Sequence, residues 1–68
     1  MVLDKENIRK NSALLYGKMR SMYRYTFDEL EKLVNLGSVE LCLALMQLLQ
    51  ENKITQDRGS GGVCYAVI

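Results

Sequence analysis

The stretch from Ser38 to Asn52 constrains the fold more than any other part of this sequence, because it predicts one long apolar helix. Leu41, Leu45 and Leu48 recur at intervals of four and three residues, which is the spacing of one face of an α-helix. Ser38 is a residue type favoured at a helix N-cap, where its hydroxyl can accept a backbone N–H. We therefore predict a helix over residues 38–52 whose leucine stripe needs other elements to cover it.

Two further helices are predicted before this one. Residues 4–22 carry charged residues on most faces and one apolar face at helical spacing, which is predicted to be buried and consists of Ile8, Leu15, Met19 and Met22. Thr26 and Glu29 match the capping box, in which each side chain bonds to the backbone N–H of the other residue. The second helix is therefore predicted over residues 26–35, and a short turn containing Gly37 separates it from the third.

The segments outside these helices predict a small sheet. Residues 23–25 alternate large and polar side chains, which suits a very short strand. Residues 54–68 predict a hairpin, because β-branched and aromatic residues flank the glycine-rich turn at residues 58–62. The chain is thus predicted to be mainly α with a small β-hairpin, an α+β fold in a single domain over residues 1–68.

Composition argues against several classes of function. The chain has no histidine, and its two cysteines, Cys42 and Cys64, are not spaced as a zinc motif. We therefore expect no catalytic residue, no metal, no cofactor and no small-molecule substrate, and we do not expect an enzyme. No apolar run approaches the ~20 residues of a membrane span, and the first residues lack a signal-peptide pattern. We accordingly expect no membrane contact and a cytoplasmic location.

Four stretches follow one another along the predicted elements: Thr26 to Leu30, the turn at Leu36-Gly37-Ser38, Ala44-Leu45 with Leu48 leading into Lys53-Ile54, and the glycine-rich Arg58 to Gly62. In these stretches and in the order of its elements the chain resembles the winged helix-turn-helix superfamily, with Arg58 to Gly62 in the place of the wing. That fold has three helices and a C-terminal wing of two or three strands, and the resemblance covers nearly the whole chain. The chain is similar to small bacterial winged-helix domains of unassigned function and, in style, to the protein-binding winged helices of the endosomal-sorting ESCRT-II complex.

The resemblance implies a small DNA-binding protein, a dimeric transcription regulator whose partner is duplex DNA. Affinity for DNA comes largely from Lys and Arg against phosphate, yet neither residue type occurs from Leu33 to Asn52. Glutamine can pair with adenine, and an arginine in a wing can reach a minor groove. The candidate DNA contacts are therefore Ser38, Gln47, Lys53, Arg58 and Ser60.

The outer side of the third helix favours a different function. Apolar residues opposite or beside the leucine stripe make this helix apolar nearly all round: Val39, Cys42, Leu43, Met46 and Leu49. Such a helix is usually buried on both sides, and a short chain has little left to cover the second side. The alternative is a winged-helix interaction or assembly module that binds a second copy or another protein there. The termini, Met1 to Leu3 and Ile68, could instead fold over this face.

Overall fold

A computed structural model of the chain describes residues 4–59 and 61–68. Within these residues the fold is α+β, as predicted, and combines three helices with a three-stranded antiparallel sheet. This composition and element order are consistent with a winged helix. In chain order the elements are α1 (Lys5–Lys18), β1 (Tyr25–Thr26), α2 (Phe27–Val34), α3 (Ser38–Gln50), β2 (Ile54–Gly59) and β3 (Gly62–Val67).

The sheet has the strand order β1-β3-β2, so β3 pairs with both other strands. Tyr25 of β1 lies opposite Tyr65 of β3, and Ile54 of β2 lies opposite Val67. At the other end of the hairpin Gly59 lies opposite Gly62, and Gly62 has a φ of 117°. Residues with a Cβ rarely adopt such a backbone conformation, so the start of β3 requires glycine at this position.

The core lies between the three helices and one face of the sheet. The predicted leucine stripe of α3 is confirmed, because Leu41, Leu45 and Leu48 are all buried. Tyr65 and Val67 pack against this core from β3, as alternate residues of one strand do. Buried partners from the other elements are Leu15 and Met19, Leu30 and Val34, Ala44 and Ile54.

Local interactions determine where α2 begins and ends. The predicted capping box is present, since Thr26 Oγ1 accepts from the Glu29 N–H at 3.2 Å and Glu29 Oε1 accepts from the Thr26 N–H at 2.9 Å. The second helix stops at Asn35, whose left-handed φ of 54° is a common helix ending. Across the short break Asn35–Gly37, the axes of α2 and α3 differ by 105°.

Several helix boundaries differ from the prediction. The first helix ends at Lys18 rather than Met22, because the chain becomes extended at Met19 and the Arg20 N–H donates to the Tyr25 hydroxyl at 2.9 Å. Met22 was predicted to lie on the buried face, but it is 97% exposed and has a φ of 70°.

The start of α3 is a second correction. Ser38 was predicted to be the N-cap, but Gly37 occupies that position and no side chain caps the helix there. The helix ends at Gln50, slightly before the predicted boundary. Among the described residues, no single helix has both the length and the apolar character to cross a membrane.

Candidate functional site

An apolar row of α3 is open to solvent. Val39 and Met46 are each 51% exposed, and Leu43 is half-buried between them. Gln50, which is exposed, continues the same line. Steps of four, three and four residues keep these side chains on one face of a helix, so they form a continuous ridge. We call Val39, Leu43, Met46 and Gln50 the outer row.

One side of the outer row borders the hairpin. Cys42 is an exposed free thiol on this side, and Leu49 is half-buried and packs against the core. Burial, and after it the nearby Cys42, raise the pKa of the Tyr65 phenol above its usual value. Of the predicted interface residues, Leu49 is thus partly committed to the core, whereas Cys42 remains open beside the row.

The other side of the outer row meets α1 in a basic cleft. This cleft has a volume of 360 Å³ and is lined by Lys5, Ile8 and Arg9 of α1 and by Gln47 and Gln50 of α3. Neither cation forms an ion pair with any described residue. The fold therefore places two positive charges beside the C-terminal end of the outer row.

An acidic residue lies toward the opposite end of α3. Glu40 is exposed, falls in the first turn, and makes no ion pair within residues 4–59 and 61–68. Glu40 and Gln47 are seven residues apart, which is two helical turns, so both project from the α1 side of the helix. The α1 side of the outer row is therefore acidic at its beginning and basic at its end.

Three of the predicted DNA contacts already bond to carboxylates of this chain. Ser38 Oγ donates to Glu31 Oε2 at 2.9 Å. Gln47 Nε2 donates to Glu51 Oε2 at 2.9 Å, and Lys53 Nζ lies 3.5 Å from Glu51 Oε1. These three side chains would have to leave or share their partners in order to contact DNA.

The electrostatics around Glu51 follow from these contacts. The hydrogen bond from Gln47 is the main cause that lowers the pKa of the Glu51 carboxyl. Desolvation opposes it, and the positive charges of Lys53 and Arg9 add smaller effects that lower the pKa further. Lys53 Nζ also lies 5.3 Å from the centre of the Tyr16 ring, a favourable cation–π distance. At the end of α3, Glu51 and Lys53 are thus satisfied by contacts within the chain.

Of the two remaining predicted DNA contacts, Arg58 lies on β2 of the hairpin. Arg58 is exposed, lies opposite Val63, and has no side-chain hydrogen bond to any described residue. Strand side chains alternate between faces, so Arg58 shares the face of Ile54, which is the face that meets the core. Ser60 lies outside the described residues. Ser38 and Gln47 are separated by about 13 Å along α3, at 1.5 Å per residue. The predicted contacts therefore do not form one compact cluster.

Lys5, Arg9 and Glu40 were not among the predicted site residues. Each looks like an ordinary surface charge in the sequence, because nothing local shows that α1 crosses the end of α3. The described residues contain no group of three or more His, Cys, Asp or Glu side chains that could hold a metal ion. What the fold does assemble is an apolar ridge with charges of opposite sign at its two ends.

The chain matches no protein-family model, no curated protein and no solved structure.

Proposed function

We propose that this chain is a winged-helix protein without enzymatic activity, which serves as an assembly module and binds another protein subunit through the outer row of α3. The angle of 105° between α2 and α3 supports the winged helix. Helix-turn-helix units join two helices at about 90–120° through a turn of three or four residues. The β2–β3 hairpin that follows α3 takes the place of the wing.

The observation that carries the proposal is the chemistry of the outer row. Val39 and Met46 expose half of their surface, and no Lys or Arg occurs between Lys32 and Lys53. Burial of apolar surface is worth about 25 cal/mol per Å², and methionine is enriched in protein interfaces while charged residues are depleted from their centres. DNA offers phosphates, which this helix has no cation to neutralise.

Within the described residues, the C-terminus does not cover the outer row. Ile68, which the sequence offered as a cover for this face, is itself 71% exposed. Residues Met1 to Leu3 lie outside the described residues. The outer row as described is therefore an apolar surface that a second protein can bury.

DNA binding is the second candidate, and it is favoured by the cations that flank α3. Arg58 on the hairpin and Lys5 and Arg9 in the cleft could contact phosphates on either side of the helix. Gln47 and Gln50 lie beside the cleft and have side chains able to read adenine. In this mode the chain would be a small transcription regulator that docks α3 in the major groove.

A titration with mixed-sequence duplex DNA separates the two candidates. Binding that depends on phosphate weakens steeply between about 50 mM and about 200 mM salt. We expect the natural chain and Arg58→Ala to behave alike, with no salt-dependent binding. Tight binding at low salt that Arg58→Ala weakens would overturn the assembly proposal in favour of DNA recognition.

The assembly role has its own positive test. A tagged copy expressed in its source cells is expected to elute from a sizing column as a complex larger than one chain. Met46→Glu should shift it to the size of a single chain, whereas Leu14→Glu should not. Leu14 is 45% exposed on α1 and is therefore a matched apolar control away from the outer row. An unchanged elution of the Met46 variant would overturn the proposal.

A further inference from the structure

We infer that the outer row binds a second copy of this chain, with the two α3 helices packed antiparallel about a two-fold axis. This inference rests on the assembly role proposed above and names its partner. It is carried by one juxtaposition: an apolar ridge has the Lys5–Arg9 cleft beside its C-terminal end and Glu40 beside its N-terminal end.

The spacing of the outer row is compatible with such a pair. A two-fold axis that passes between Leu43 and Met46, perpendicular to both helices, places Leu43 of each copy against Met46 of the other. The same axis places Val39 against Gln50. Every member of the row therefore meets another member, and the row forms a self-complementary interface of the kind that closed dimers use.

The charges at the two ends then become complementary. An axis of this kind keeps the α1 side of one helix next to the α1 side of the other. At this register Glu40 comes level with Leu49 of the second copy, between Gln47 and Gln50, which line the cleft that holds Lys5 and Arg9. These three charged side chains form no ion pair within the described part of one chain, so they are available to attract each other between two chains.

The same charges favour the antiparallel arrangement over a parallel one. A two-fold pair of α3 helices running in the same direction would place the α1 side of each helix next to the hairpin side of the other. Glu40 would then lie away from Lys5 and Arg9 of the second copy, and the attraction between the charges would be lost. In the antiparallel pair each favourable contact occurs twice by symmetry, so one substitution alters two contacts per dimer.

Sedimentation velocity over a wide range of protein concentration is the first test. We expect a monomer–dimer equilibrium for the natural chain, a monomer for Met46→Glu, and an unchanged equilibrium for Leu14→Glu. Met46 is half-exposed, so its variant should keep the helical circular dichroism of the natural chain. A natural chain that stays monomeric at all concentrations, or a Met46→Glu variant that still dimerises, would overturn the inference.

A charge swap tests the orientation of the pair. Glu40→Lys alone and Lys5→Glu alone should each weaken the dimer by about tenfold or more, because each creates like charges between the copies. Lys5 lies in the first turn of α1, where a carboxylate suits the helix dipole, so Lys5→Glu should not weaken the monomer.

The double variant Lys5→Glu with Glu40→Lys should recover the natural dissociation constant to within about threefold, since it restores opposite charges. A double variant as weak as the product of the two single effects would overturn the antiparallel register. If the pure chain does not dimerise, the tagged copy can still elute as a complex with another protein. The two proposals can therefore fail separately.

Discussion

Ser38 Oγ donates a hydrogen bond to Glu31 Oε2 over 2.9 Å, which links the first residue of α3 to α2. The hydroxyl that the sequence offered as a cap for α3 is used instead to connect the two helices. Gly37 then holds the N-cap position without a side-chain bond, whereas Thr26 caps α2 with a complete capping box. The two helix starts should therefore respond differently to loss of a hydroxyl.

We expect Thr26→Ala to lower the free energy of unfolding by about 1 kcal/mol, the usual cost of removing an N-cap side chain. Ser38→Ala should cost less than about 0.5 kcal/mol, because its hydrogen bond is exposed and caps nothing. Urea denaturation of both variants measures the difference. Equal losses in the two variants would contradict the capping assignment.

Leu45→Ala should cost about 2–5 kcal/mol, because truncating a buried leucine leaves a cavity in the core. Leu14→Ala removes the same atoms from an exposed position and should cost far less. Denaturant titration of the two variants is the measurement. A loss below about 1 kcal/mol for Leu45→Ala would mean that the stripe of α3 does not form the core.

Asn35 ends α2 in a left-handed backbone conformation. The change in stability on replacing it should therefore depend on how easily the new residue adopts this conformation. Asn35→Ala is expected to cost about 1 kcal/mol, because a Cβ disfavours this region of φ and ψ. Asn35→Gly should be neutral or slightly stabilising, since glycine adopts it freely. Thermal melts of the two variants test this prediction. An Asn35→Ala variant more stable than Asn35→Gly would contradict it.

Tyr65 should make stability fall at alkaline pH. Burial raises the pKa of its phenol above the value of 10.0 for a free tyrosine, so the neutral form is favoured in the folded chain. Its contribution is complete below pH 10.0 and is lost as the pH rises through the folded pKa. Tyr65→Phe should reduce the loss of stability above that pH, measured by denaturation across an alkaline series. If the free energy of unfolding fell with pH equally in Tyr65→Phe and in the natural chain, this role for Tyr65 would be contradicted.

The parts of the fold that depend on local chemistry could be predicted from the sequence. The leucine stripe of α3, the capping box at Thr26 and the stop near Asn35 each depend on residues close together in the chain. The end of α1 could not be predicted in this way. Met19 and Met22 continue the helical spacing, and the hydrogen bond from Arg20 to the Tyr25 hydroxyl is visible only once the chain has folded.

The candidate site also has one part that could be predicted from the sequence and one part that could not. The apolar character of Val39, Leu43 and Met46 follows from the period of one helix and was predicted. The basic cleft depends on how α1 crosses α3, which joins residues about forty positions apart. Only that crossing makes Lys5 and Arg9 candidate site residues, because an isolated cation on a helix is usually a solvated surface charge.

The strand order β1-β3-β2 also bears on how this chain is made. The outer strands have no pairing with each other, and both depend on β3, which follows every helix and both of its partners in the sequence. A ribosome therefore completes all three helices before it supplies the strand that unites the sheet. Until Gly62–Val67 emerge, Tyr65 and Val67 cannot cover the core. The nascent chain consequently exposes apolar surface to chaperones until β3 has been synthesised.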